Sequence, residues 1–126
     1  MQTGKWGEGV AVKELKKIGF KIIGRRVRVG KRDEIDIVAR DGVELVFVEV
    51  KTRGSEMFGR PITAVDRHKR HTLSRAAVRY LKKLKNPHVY FRFDVVEVVG
   101  DMDSDAPPVV RHVRNAFPLD RCYSLP

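Results

Sequence analysis

Cysteine is nearly absent from this chain of 126 residues: Cys122 stands alone. One thiol cannot close an internal disulfide, and it leaves no cysteine cluster for a metal and no redox pair. A reducing compartment suits such a chain. Long apolar runs are missing as well. The N-terminus has no apolar stretch of signal-peptide length, and no segment approaches the roughly eighteen apolar residues of a membrane span. A soluble, cytoplasmic protein with no membrane partner is therefore expected. There is no phosphate-cradling glycine loop, Ser-His-Asp order, zinc spacing or internal repeat, so the available chemistry rests on acids, a lysine and an acquired ion.

What the chain has in excess is positive charge, a formal +10. It is unevenly spread. Residues 1–32 and 60–85 each carry a net +8, whereas residues 33–59 invert to −4 and the remainder is −2. A field of this kind draws polyanions, nucleic acid first among them, and an acidic island inside it suggests local cation binding. The length fits a single domain spanning 1–126, large enough to bury roughly two-thirds of its unfolded surface.

The acidic island reads as a hairpin. Ile35-Asp36-Ile37-Val38 and Leu45-Val46-Phe47-Val48-Glu49-Val50-Lys51 flank Asp41-Gly42, a strong short-range hairpin signal. With those two residues as the turn, Arg40 sits opposite Val43, Asp36 opposite Phe47 and Glu34 opposite Glu49. Alternation then points Asp36, Phe47, Glu49 and Lys51 to one face, with Asp36 and Glu49 diagonal neighbours roughly 7 to 8 Å apart. Two carboxylates so placed can lean onto one octahedral Mg²⁺. A plain Glu49–Lys51 salt bridge with Asp36 a bystander satisfies the same pattern. The triplet alone means little, since one acid-any-lysine match should arise by chance about once in such a chain, and Glu14-Leu15-Lys16 is another copy. Context separates them: Glu49 ends an apolar run, where an unpaired charge is costly.

Around the hairpin, Val10, Ala11, Leu15 and Ile18 predict an amphipathic helix over Lys5–Ile18, capped by Gly19. Glu8 falls on its inward side, either as a first-turn acid favoured by the helix dipole or as a third site carboxylate. Phe20–Ile23 and Val27–Val29 predict a first strand region, followed by the basic turn Gly30-Lys31-Arg32. Arg53–Pro61 is a loop next to Lys51, suited to closing over a substrate or merely to connecting. Thr63–Leu84 predicts a second helix with a basic face that includes Arg67, Lys69 and Arg70, ended by Asn86-Pro87. Lys31, Arg32, Arg53, Arg67, Lys69 and Arg70 are the candidate nucleic-acid contacts. His68 and His71 have ligand-like spacing, but no third ligand stands near them, so they read as surface groups. Val89–Val99 predicts a strand carrying Asp94, either structural or near the site. Val109–Arg114 predicts an edge strand, with an irregular tail from about residue 115.

Gly7-Glu8, Ala11, Leu15, Gly19-Phe20, Glu34-Ile35-Asp36, Phe47 through Arg53 and Arg92-Phe93-Asp94 together resemble the YraN-like family of uncharacterised bacterial proteins. That family is similar to the restriction-endonuclease-like PD-(D/E)XK nucleases and stands close to archaeal Holliday junction resolvases. The resemblance implies an α/β fold with a mixed central sheet, an antiparallel hairpin and flanking helices. It also implies a metal-dependent endonuclease acting on DNA, with Asp36 and Glu49 as metal acids, Lys51 as the motif lysine and Glu8 as the helix carboxylate. By analogy with resolvases it implies a homodimer. Three positions depart from the family pattern: Ile35 replaces a proline, Asp33 a glycine and Arg26 an asparagine. Asp33 is expected to add negative charge beside the site. A nucleic-acid-binding module without turnover, a target in RNA, and a basic helix meeting an acidic protein are the competing expectations.

Overall fold

The computed structural model describes residues 3–59, 65–85 and 89–123. The order is α1 (Thr3–Lys17), β1 (Lys21–Val29), β2 (Asp33–Asp41), β3 (Glu44–Arg53), a 3₁₀ turn (Ser55–Met57), α2 (Arg67–Leu84), β4 (Tyr90–Val99) and β5 (Val109–Phe117). The strands lie in sequence order in one sheet. β3 and β4 are parallel and every other pair is antiparallel. A parallel pair needs a long crossover, and α2 is that crossover. This is a mixed-sheet α/β architecture of the restriction-endonuclease-like kind.

The sheet separates two apolar clusters. Ala11, Val12 and Leu15 of α1 pack on Ile37, Ala39, Val46, Val48, Val96 and Val98. On the opposite face Leu73, Ala76, Ala77 and Leu81 of α2 pack on Val38, Leu45, Phe47, Phe93 and Val95. Even and odd positions of β3 thus go to different helices, as strand alternation requires. Because both faces are covered, β3 and β4 read as nearly unbroken apolar runs.

Several boundaries move for identifiable reasons. The first helix starts at Thr3 rather than Lys5 and stops at Lys17. Gly19, at φ +97°, lets the Phe20 N–H reach back to the Leu15 carbonyl at 2.9 Å. β1 runs unbroken through Gly24, with a register shift between Ile22 and Gly24 and with Arg26 at φ +49°. The hairpin turn is Gly42-Val43, with Asp41 opposite Glu44 and Arg40 opposite Leu45, two residues beyond the partner Asp41-Gly42 would give. Gly42, at φ +61°, takes the first central position, the glycine position of a type II′ turn.

α2 begins at Arg67, where the Asp66 side chain accepts the Lys69 N–H at 2.8 Å. Thr63 and Pro61, and the Asn86-Pro87 stop, lie outside the described residues. β5 continues to Phe117, past the expected start of an irregular tail, because the Phe117 ring stacks on Phe93 with centroids 4.8 Å apart. No described helix is long and apolar enough to cross a membrane.

Candidate active site

Two strands parting company build the site. The β2–β3 ladder runs from Asp41/Glu44 to Ile37/Val48 and stops. One further step in the same register sets Asp36 against Glu49. Strict alternation fails here, since Ile35 and Val38 both pack on the α2 side while Ile37 packs on the α1 side. Asp36 bridges the opening: its Oδ2 accepts the Val50 N–H at 2.9 Å.

Glu49 comes from the strand face that α2 covers and is only 7% exposed. Burial pushes its carboxyl up to about 8, reinforced by a hydrogen bond to Asp36 and by that residue's charge. Lys69 Nζ, 3.4 Å from Glu49 Oε2, pulls the other way. Two carboxyl groups in contact, one holding its proton at neutral pH, form a cation-seeking pair. Their hard oxygen donors, with the Val50 carbonyl on the same strand, fit Mg²⁺ or Mn²⁺ and not a thiophilic metal. Lys51 lies two residues along the same face of β3, half-buried, in register with Glu97 of β4.

Glu8 enters at one remove. It sits in the second turn of α1, not the first, so the helix dipole does not account for it. Arg26 Nε holds its Oε1 at 3.0 Å, and the same guanidinium feels the charges of Glu34 and Asp36. Gly7 makes this placement possible, because a β-carbon there would overlap the Thr52 hydroxyl at the end of β3.

A cleft of about 430 Å³ opens beside the pair, between the start of β2 and the first turns of α2, with Arg32, Glu34, Asp36 and Lys69 on its walls. Asp33 also lines it, yet adds no free negative charge. Arg75 clasps its two oxygens at 2.7 and 2.8 Å, and those hydrogen bonds hold its carboxyl below the usual carboxylate range.

The candidate nucleic-acid residues divide. Lys31, Arg32 and Arg67 are exposed, and Arg70 lines a second groove between the start of α2 and residues 118–122. Lys69 instead turns to Glu49. Arg53 turns inward, its Nε 3.2 Å from Oε2 of Glu97, a carboxylate 1% exposed that Arg111 also approaches at 3.6 Å. Asp94 is structural, in register with Val48 and on the sheet face opposite Glu49. Buried in full, it receives Arg92 Nε at 2.9 Å, the Asn115 N–H at 2.9 Å and His112 Nε2 at 2.8 Å, while Arg92 also grips Asp41 and Glu44 beside the hairpin turn. Lys69 and Glu97 are the groups that sequence reasoning did not assign to these roles; their partners lie on other elements, and no local pattern marks them.

The profile of the uncharacterised protein family UPF0102 matches residues 7–98, which span Glu8, Asp36, Glu49, Lys51 and Lys69. The chain belongs to that family. It is 43% identical over 116 residues to a UPF0102 protein of Geotalea daltonii, covering 92% of this chain and 89% of the relative. It is 40% identical over 116 residues to one of Caldicellulosiruptor saccharolyticus, covering 92% and 97%. A UPF0102 protein of Geobacter metallireducens is 42% identical over 118 residues, covering 92% of each. The YraN-like resemblance is thereby borne out across most of the chain, and the family carries no named activity.

Proposed function

We propose that this protein is a metal-dependent endonuclease that hydrolyses phosphodiester bonds in branched or otherwise structured DNA. The observation that carries the reading is the Asp36–Glu49 pair at the strand fork, with Lys51 on the same strand face and a cleft alongside. Asp36 and Glu49 would hold Mg²⁺ or Mn²⁺, with the Val50 carbonyl as a further ligand. When bound, the ion would offset phosphate charge and acidify a water. The chain's own groups do the rest. Lys51 places an ammonium where negative charge grows on the phosphorane-like transition state. Asp36 is held in position by the Val50 N–H, and Lys31, Arg32, Arg67 and Arg70 grip the backbone on either side. Among the described elements none has the form of a major-groove reading module, so selection by shape of the nucleic acid is the natural mode. Two copies acting on two strands of a junction, in a reducing cytoplasm, complete the proposal.

The test is cleavage of a panel of duplex, single-stranded, forked and four-way DNA and of RNA, with Mg²⁺ or Mn²⁺. Wild type should cut a branched DNA, and Asp36→Ala and Lys51→Ala should each lose about 10²-fold or more in rate. Equal cutting by all three proteins overturns the assignment. A second reading has a specific observation behind it: Lys69 already lies against the Glu49 carboxyl and Arg26 already pairs with Glu8, as in a binding module that has given up turnover. It predicts binding indifferent to Asp36→Ala and to Mg²⁺.

A further inference from the structure

The chain after β5 folds back over the first half of α2 and is pinned there by polar contacts. Asp120 donates its N–H to Oγ of the fully buried Ser74 at 2.9 Å. Its Oδ1 accepts the Cys122 N–H at 3.0 Å, and its Oδ2 lies 3.1 Å from Nδ1 of His71. Tyr123 closes the assembly from the other side, its hydroxyl 2.9 Å from His71 Nε2. The ligating atoms of His71, Asp120 and Cys122 all fall within 4.8 Å of one another.

We propose that His71, Asp120 and Cys122 form a zinc site, separate from the Asp36–Glu49 pair, that clips the C-terminal segment to α2 and leaves one coordination position open. A tetrahedral zinc with bonds of about 2.0 to 2.3 Å keeps its donors roughly 3.5 Å apart, and rotating the exposed Cys122 side chain closes that gap. Imidazole with thiolate selects zinc over the hard cations suited to Asp36 and Glu49. Tyr123 supplies the outer-sphere contact that metal-bound histidines use: with Nε2–H given to the phenol oxygen, the Nδ1 lone pair is free for the metal. Balance of charge also fits. The carboxylate and a thiolate offset the two charges of zinc, so Arg67, Arg70 and Arg121 around the groove face a neutral centre. Binding forms the Zn–S bond and releases the thiol proton to solvent. The fourth position opens toward a groove of about 990 Å³ and would take water.

His71 and Asp120 are 49 residues apart in the chain, so local spacing could not unite them. Both Asp120 and Cys122 fall outside the family match at 7–98.

The test uses the full-length protein stripped of metal, titrated calorimetrically with Zn²⁺ and followed spectroscopically with Co²⁺. One equivalent should bind, and the Co²⁺ form should show a thiolate-to-metal charge-transfer band. Cys122→Ser should abolish that band, and Cys122→Ser and His71→Ala should each weaken Zn²⁺ by more than about tenfold, while Tyr123→Phe costs about tenfold. Asp36→Asn and Glu49→Gln should leave Zn²⁺ binding unchanged. Absence of saturable Zn²⁺ binding, a Co²⁺ spectrum without the sulfur band, or binding lost with Glu49→Gln but kept in Cys122→Ser overturns the proposal. None of these outcomes depends on nuclease activity.

Discussion

Glu49 concentrates the residue-scale argument, because its carboxyl is buried, touches a second acid and still sits near a lysine. Its pKa in the folded chain is raised, from an ordinary 4.5 to about 8, so the native state binds an extra proton between those values. Stability from this group is fully present below pH 4.5 and is lost as pH rises toward 8. Glu49→Gln should therefore flatten the decline in thermal midpoint across that window. Cation binding needs the deprotonated form, so Mn²⁺ affinity should climb by up to about tenfold per pH unit below pH 8 and level off above it, with proton release visible in calorimetry. Affinity independent of pH would remove the acid pair as the ion's ligands. Lys69 lowers the same pKa, so Lys69→Met should move the Glu49 titration upward, measurable by carbon NMR of the side-chain carboxyl. Glu49 and Lys51 were legible in the sequence because alternation along β3 is local, whereas Asp36 stands where β2 breaks that alternation, between Ile35 and Ile37. The partners were not: Lys69 reaches Glu49 from α2, and Arg75 reaches back to Asp33, the residue expected to charge the site.

At the scale of elements, the hairpin shows which errors a sequence reading tolerates. The turn sits at Gly42-Val43 instead of Asp41-Gly42, which moves every cross-strand partner by two residues. A two-residue move keeps each side chain on its own face, whereas a slip of one would have inverted them all. The facing of Glu49 and Lys51 thus survived, and Asp36 gained a closer neighbour in Glu49. The docking of α1 was partly visible as Gly7-Glu8, though its reason, the Thr52 side chain against Gly7, was not. Gly7→Ala should lift α1 from β3 at an overpacking cost of about 1 to 3 kcal/mol, read as a lower midpoint in urea. Thr52→Ala should recover part of that loss in the double variant, and strict additivity would disprove the contact. β5 was cut short in the sequence reading because Asn115, at φ +50°, interrupts its pattern before Phe117. Phe117 belongs to a ring cluster that runs through Phe93 to Phe47, with Tyr80 and Phe91 edge-on to Phe47. Phe117→Ala should cost about 3 to 5 kcal/mol, far more than an irregular tail could lose.

For the whole molecule, net charge sets the association behaviour, but only the cations not already claimed within the fold can meet phosphates. The +10 total and its two basic blocks were plain in the sequence. Which members remain available was not, because Glu8, Asp33, Glu49 and Glu97 take Arg26, Arg75, Lys69 and Arg53 from distant parts of the chain. Of the six candidate contacts, Lys31, Arg32, Arg67 and Arg70 remain. Four phosphate contacts on duplex DNA give a log–log salt slope of about −3.6, from roughly −0.9 per neutralised phosphate. Fluorescence anisotropy across a salt series should return that value for wild type and about −1.8 for Lys31→Ala/Arg32→Ala, while Arg53→Ala should leave the slope unchanged and lower stability instead. A slope near zero would mean that the positive field does not hold nucleic acid through its backbone. A steeper slope that Arg53→Ala or Lys69→Ala reduces by one contact each would mean that substrate pulls those side chains out of their internal ion pairs, coupling nucleic-acid binding to release of Glu49.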